Sequence, residues 1–328
     1  ARLRVQMEMA YEIPRAYPYT RAQMLDILQK NVSGFAEEEL ETLRDDGTLD
    51  WRYVNGEVRF KNNALSALLK TRKEYAMRAT DPAVMSGTKA SAEQLSAMIA
   101  KMKANGGVRA RFELHEELTV RSDRLTEGET LRIHLPMPIV GAQVKRAELL
   151  SASHPVAFLA PEDEPQRTIY FELPYEPGMT VSAEIAYEID APYAQPHARE
   201  VYAEQPVFDT EELPPHVVFT PYLRALAKEI VGDETNALLK ARKIYDFITT
   251  QAVYRFMPPY LTVPNIPEYF LSGLRGDCGV QAITFVTLCR LCGVPAQWQS
   301  GLYTKPNSAG HHDWARFYVA PFGWLFAE

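Results

Sequence analysis

At 328 residues the chain is too long for one ordinary core and predicts two or three domains. Hydrophobic residues at 46% and charged residues at 23% set the balance of a globular chain, and no apolar run approaches the roughly 20 residues that span a bilayer. The net charge of −7 is spread along the sequence, which argues against a nucleic-acid or anionic-membrane partner, since both favour a basic patch.

The first hundred residues read as mainly helical with one hairpin. Leu25 and Leu28, then Leu40 and Leu43, fit short helical faces, the second ending near Gly47. Leu49, Trp51 and Tyr53 alternate before Asn55-Gly56, and Val58 and Phe60 alternate after it; Asn-Gly there predicts a tight hairpin because both residues tolerate positive φ. Ser91-x-x-Gln94 reads as a capping box in front of Leu95, Met98, Ile99 and Met102, with Asn105-Gly106-Gly107 as the stop.

From Val108 the period changes to two. Segments 108–120, 130–135, 144–150, 167–173 and 179–189 read as strands, and their number and spacing predict an antiparallel β-sandwich. A proline-rich stretch reads as a linker. Beyond it come a short helix over 222–231 and a long one over 234–252, with Leu238, Leu239, Ile244, Phe247 and Ile248 on one broad face. A loop holding Pro258, Pro259, Pro264 and Pro267 then leads to Gly276-Asp277-Cys278. The expected organisation is multidomain α+β: a helical region 1–107, a β-sandwich 108–190, a linker 191–216 and an α+β core 217–328. The chain begins at Ala1 with no initiator methionine and no signal-like segment, which assigns no compartment. It stops after Glu328 inside what reads as a strand, so the natural protein is expected to continue.

The cysteines are Cys278, Cys289 and Cys292, all in one short stretch, so a disulfide framework is not expected. Asp277 is a good N-cap, which makes Cys278 the first residue of a helix running to about Cys292. A helix N-terminus stabilises negative charge, and the thiolate is the reactive form of cysteine. A free thiol titrates at about 8.5, so activation at neutral pH needs such help together with a base. A structural cysteine that merely starts a helix reads equally well from this segment alone. The Cys-x-x-Cys spacing of Cys289 and Cys292 falls on the far end of the same apolar helix with no second ligand pair after it; core packing is the better reading.

Among the histidines, His115, His134 and His154 fall in the sandwich and His197 and His216 flank the linker, positions that suit structural or exposed residues. His311 and His312 open the strand His312-Asp-Trp-Ala-Arg-Phe-Tyr-Val319, where adjacent side chains point to opposite faces and only one can meet a thiol.

Taken together, Gly276-Asp-Cys278-Gly before an apolar helix, Cys292-Gly-Val-Pro-Ala296, His312-x-Trp314 and Gly323-Trp324 resemble the core of the transglutaminase-like superfamily, which is papain-like in its α+β architecture. Ala241-Arg-Lys-Ile-Tyr-Asp-Phe-Ile248 and Val253-Tyr254 resemble the helix ahead of its catalytic loop, so the likeness covers 217–328, about a third of the chain. Leu131-Arg-Ile-His-Leu-Pro136-Met-Pro138 is similar to the β-domain that often precedes such cores. The resemblance implies Cys278 as nucleophile, His312 as base and Glu328 as the acid that orients it. The family's acid is usually aspartate; a glutamate also accepts a hydrogen bond from an imidazole.

The implied chemistry is thiolate attack on a peptide or peptide-like amide, giving a thioester. Water as second reactant makes a protease or amidase, the favoured reading because water needs no acceptor site. An amine makes a protein-glutamine acyltransferase, and a catalytically idle peptide-binding protein on the same fold is the third reading. No cofactor and no metal are expected, since nothing resembles a calcium loop. The expected partner is a peptide or protein substrate. Tyr254 is a candidate oxyanion donor because it precedes the catalytic loop. For Glu328 to reach the face of His312, the turn before Trp324 must have an odd number of residues or a bulge. A four-residue loop over 320–323 pairs Glu328 with Ala315 on the opposite face.

Overall fold

The computed structural model describes the chain except residues 1, 2, 4, 5, 7–9, 11, 12, 121–124, 142, 256, 258, 259, 261, 262, 306 and 307, so Pro258 and Pro259 of the proline loop lie outside the described residues. The described chain divides into two units, one made of Ala1–Ser96, His197–Gln299 and Trp314–Glu328, the other of Ala97–Pro196 and Ser300–Asp313.

In the first unit, Thr20 closes the short strand β1 (Tyr19–Thr20) and caps helix α1 (Arg21–Asn31). Its hydroxyl accepts from the Gln23 amide at 3.2 Å while Gln23 Oε1 accepts from the Thr20 amide at 2.9 Å, a reciprocal capping box. Helix α2 (Glu37–Asp45) follows, and Met24, Leu28, Leu40 and Leu43 form the centre of a small core. Strands β2 (Trp51–Val54) and β3 (Glu57–Phe60) pair around Asn55 and Gly56, whose φ values are +52° and +83°. Both residues therefore take the left-handed region that a two-residue hairpin demands. The sheet order is β1-β3-β2. Helices α3 (Ala64–Thr71), α4 (Lys73–Ala76) and α5 (Pro82–Asn105) complete this lobe and lead out of it.

The predicted cap at Ser91 is corrected by α5, which passes straight through that residue. The helix starts instead at Asp81-Pro82, where the Asp81 carboxylate accepts from the Ala83 amide at 2.9 Å. An acidic cap with proline in the first turn is a stronger start than a serine preceded by good helix formers.

The second unit is built on two three-stranded antiparallel sheets. One has β4 (Gly107–Thr119), β9 (Thr180–Pro192) and β6 (Val144–Ala152) in the order β4-β9-β6; the other has β5 (Thr130–Pro136), β8 (Thr168–Pro174) and β7 (Phe158–Leu159) in the order β5-β8-β7. Alternate residues such as Val181, Ala183 and Ile185 on β9, and Ile169 and Phe171 on β8, join one buried cluster.

Back in the first unit, the proline-rich stretch beyond His197 is strapped to the core instead of hanging free. Ala198 accepts from Asn236 Nδ2 at 2.8 Å, the Gln205 side chain accepts from the Ala320 amide at 2.8 Å, and the Glu211 carbonyl accepts from Arg290 at 3.1 Å. The core itself comprises α6 (Pro221–Val231), α7 (Ala237–Gln251), β10 (Val253–Tyr254), α8 (Ile266–Gly273), β11 (Arg275–Gly276) and α9 (Cys278–Leu291). The chain then forms β12 (Ala296–Lys305) and β13 (Ser308–Val319), whose residues 300–313 belong to the second unit, and β14 (Gly323–Ala327), arranged β12-β13-β14. Helix α9 is buried on nearly every side, which suits its almost continuous apolar sequence. On α7 the buried face is Ala237, Ala241, Ile244 and Ile248, and Leu239, expected inside, is exposed.

Glu116 sits on the inward face of β4, after Phe112 and Leu114. Both its carboxylate oxygens are buried without a hydrogen-bond partner among the described residues, and burial pushes its pKa up to about 7. An acid whose folded pKa is raised binds its proton more tightly folded than unfolded. Its stability contribution is therefore complete below the unfolded value and is lost as pH rises towards 7. Glu116→Gln is expected to raise Tm at pH 8 and to give no advantage at pH 4; melting curves at both pH values check this, and an equal effect at both would contradict the burial argument.

Candidate active site

The thiol of Cys278 owes its place to the three residues before it. Strands β10 and β11 pair in parallel, Val253 beside Arg275 and Tyr254 beside Gly276. Two further bonds extend the ladder, Val253 N–H to the Leu274 carbonyl at 2.9 Å and Arg255 N–H to the Gly276 carbonyl at 2.9 Å. Gly276 makes this junction possible, because a Cβ there would lie 2.6 Å from Val280 Cγ1 and 3.0 Å from Phe270 Cδ2. Asp277 then turns the chain into α9 as predicted, its Oδ1 accepting from the Val280 amide at 3.1 Å. The Tyr260 hydroxyl donates to the same oxygen.

This pairing brings the side chain of Tyr254 to the thiol. Its hydroxyl donates to Cys278 Sγ at 3.9 Å, a sulfur hydrogen bond from a half-buried phenol. Burial, reinforced by negative charge on Cys278, pushes the Tyr254 phenol above its ordinary pKa, so it stays protonated and able to donate. A donor aimed at sulfur stabilises the thiolate over the thiol, in the same sense as the helix N-terminus beneath it. Sequence alone marked Tyr254 only by its position ahead of the loop. It carried no signal for Tyr260, nor for Lys70, whose ammonium lies 5.4 Å from the centre of the Tyr254 ring.

The other two thiols occupy different surroundings. Cys289 is fully buried in the core and Cys292, half-buried, terminates α9; burial pushes both thiols above their usual range. A desolvated thiol is a poor source of thiolate, so Cys278 is set apart by its environment. Cys292 differs from the reading that placed both cysteines inside, since it lies at the helix end where the chain leaves the core.

His312 lies on β13, in the second unit, whereas Cys278 and Glu328 belong to the first. β13 already runs from Ser308, so His312 sits within the strand and does not open it. His311 is exposed and His312 half-buried, as strand alternation requires, and the His312 ring meets Tyr303 edge-on with centroids 5.9 Å apart. Further along the strand, Trp314 Nε1 donates to Gln299 Oε1 at 2.9 Å, and the Arg316 guanidinium stacks 4.5 Å over the Trp324 ring.

Strands β13 and β14 pair from Val319↔Gly323 to Ala315↔Ala327, which leaves a three-residue turn of Ala320, Pro321 and Phe322. The odd count sets Ala315 across from Ala327, so Ala315 is not the partner of Glu328, and the pairing ends one residue before Glu328. Glu328 is exposed, and its backbone carbonyl accepts from the Tyr245 hydroxyl at 3.0 Å.

Among the described residues no cluster of His, Cys, Asp and Glu is arranged to hold a metal ion, and no helix is long and apolar enough to cross a membrane.

Residues 224–328 match the family described as the transglutaminase-like superfamily. No curated protein matches the chain. Among solved structures, the chain is similar to a protein from Cytophaga hutchinsonii provisionally described as a cysteine protease, with 17% identity, a TM-score of 0.46, and coverage of 68% of this chain and 78% of that one. It is also similar to the periplasmic domain of TgpA from Pseudomonas aeruginosa, with 16% identity, a TM-score of 0.33, and coverage of 70% and 90%.

The Asp277 cap leads to a stability expectation. Asp277→Ala removes the acceptor for both the Val280 amide and the Tyr260 hydroxyl and is expected to cost about 1 kcal/mol or slightly more. Urea titration measures it, and an unchanged midpoint would show that the cap carries no weight.

Proposed function

On the premise that residues 224–328 are a transglutaminase-like core, we propose that the protein is a cysteine-nucleophile hydrolase of peptide or peptide-like amides. The observation that supports this most is the Tyr254 hydroxyl bonded to Cys278 Sγ at the Asp277-capped start of α9. Two features that favour thiolate converge there: a helix N-terminus and a neutral donor.

In the proposed reaction His312 takes the thiol proton and Cys278 attacks the amide carbonyl, forming a C–S bond and a tetrahedral oxyanion. The Cys278 backbone N–H and the Tyr254 hydroxyl are the proposed donors to that oxyanion. Collapse breaks the C–N bond, the amine leaves with the proton held by His312, and a thioester remains. Water, deprotonated by His312, then attacks the thioester and returns the acid and free Cys278. Glu328 is the proposed orienting acid. The three-residue turn supports that role, since its register carried one residue past Ala315–Ala327 would set Glu328 across from Trp314, and strand alternation gives Trp314 and His312 the same face of β13. An amine in place of water completes acyl transfer through the same thioester. In the same reading residues 108–190 are a β-sandwich ahead of the core, supported by the buried cluster to which both sheets contribute.

Selective thiol chemistry tests the reading. Iodoacetamide at pH 7 is expected to modify Cys278 well before Cys292 or Cys289, and Cys278→Ala is expected to abolish amine release from a panel of peptide, cell-wall peptide and glutamine substrates with the fold intact. Peptide mapping that finds Cys292 or Cys289 labelled first would overturn the assignment. Added primary amine diverting product from acid to amide would place the enzyme among acyltransferases.

A further inference from the structure

The two short strands that present the thiol are gripped from outside the core, by residues 46–50 of the N-terminal lobe. Arg255 directly follows Tyr254, the last residue of β10, and its guanidinium pairs with the carboxylate of Asp50. Asp50 is itself buried, accepts from the Tyr17 hydroxyl at 3.0 Å and has Lys61 Nζ at 3.5 Å. The lobe thus supplies a prebuilt carboxylate held by two partners of its own. Arg275 precedes Gly276 on β11 and donates to the Asp46 carbonyl at 3.0 Å. Gly47 lets that happen: its φ is +77° and a Cβ there would fall 2.0 Å from Arg275 Nε. An arginine of β11 and the arginine directly after β10 are therefore anchored in the same five-residue segment, and Lys70 of the same lobe reaches the ring of Tyr254.

We propose that the 46–50 segment is a positioning element for the thiol site, with Asp50 a positioning residue that acts through Arg255 on the Tyr254–Cys278 contact. A two-residue strand pair has too few backbone bonds to hold its register alone. Here the register decides whether a phenol meets the sulfur, since Tyr254 lies beside Gly276 and Cys278 is two residues further on. Charge-assisted arginine bonds at both flanks supply the missing rigidity. Tyr17, Lys61 and Arg255 all face the Asp50 carboxylate, so its charge is compensated by two cations, and burial together with that charge raises the Tyr17 phenol to about 12. The lobe is in this view part of the enzyme's working machinery, and removing it would loosen the thiol site.

The inference rests on the thiol reading above, and the test separates the two. The rate of Cys278 alkylation is measured against pH in the full chain for wild type, Asp50→Asn, Tyr254→Phe and the double variant, with Cys289 labelling as an internal monitor of unfolding. Asp50→Asn is expected to slow Cys278 alkylation at pH 7 roughly tenfold and to move its profile to higher pH, with Cys289 still protected. The double variant is expected to match Tyr254→Phe alone, since residues acting through one contact are non-additive. Asp50→Asn superimposing on wild type, or effects that add in full, would overturn the proposal. If Asp50→Asn exposes Cys289, Arg275→Met puts the same question from the other strand, with the same two readings of the result. A wild-type Cys278 no faster than Cys292 would instead refute the functional reading itself.

Discussion

Much of the core hangs on a missing side chain. At Gly276 the backbone passes so close to Val280 and Phe270 that a Cβ would overlap both, and this closeness lets β11 run directly into the capped start of α9. With any larger residue the strand would move away from the helix, taking its parallel partner β10 with it. The Tyr254 hydroxyl would then lose its approach to Cys278, because its position is inherited from the pairing of Tyr254 with Gly276. A steric allowance at one residue thus becomes an electrostatic property of the next but one.

The environments of the three thiols follow the same logic of placement. Cys289 and Cys292 are in or at the edge of an apolar interior, where burial disfavours the thiolate. Cys278 lies on the same helix but at its N-terminus, where the helix dipole and a phenolic donor favour negative charge. One helix carries both kinds of cysteine, and its polarity decides which is which. The N-terminal lobe adds a further layer, since the buried carboxylate of Asp50 reaches across to Arg255 and ties a local electrostatic cluster to the strand that bears Tyr254. Buried ion pairs of this kind contribute little net stability against an apolar alternative, so geometric definition is the better account of its presence.

Local signals in the sequence were most informative where a single residue type has a single mechanical use. Asn55-Gly56 turned as a hairpin because both residues tolerate positive φ, and Asp277 capped α9 because its carboxylate reaches the third amide along. The reading failed where a signal had to compete with another at a distance. Ser91 has the spacing of a cap, yet Asp81-Pro82 starts the helix nine residues earlier and leaves Ser91 in its middle. Leu239 is apolar enough for the interior, yet the buried face of α7 is Ala237, Ala241, Ile244 and Ile248, and Leu239 falls off it. The proline-rich stretch read as a linker because proline is a breaker, and nothing in its composition announced the bonds that strap it to Ala320, Asn236 and Arg290.

By itself the sequence determined which segments are helix, strand or turn near their strongest punctuation, and it put Cys278 at the capped start of a helix. These depend on interactions within a few residues, such as a cap, a φ preference or an alternating pattern. Only the tertiary structure decided that Tyr254 donates to the sulfur, that Asp50 and Asp46 hold the arginines on either side of it, and that a three-residue turn joins β13 to β14. Those outcomes join residues as far apart as Asp46 and Arg275, or turn on the parity of a single loop. No local pattern encodes the first, and several turn chemistries with the same composition give different answers to the second.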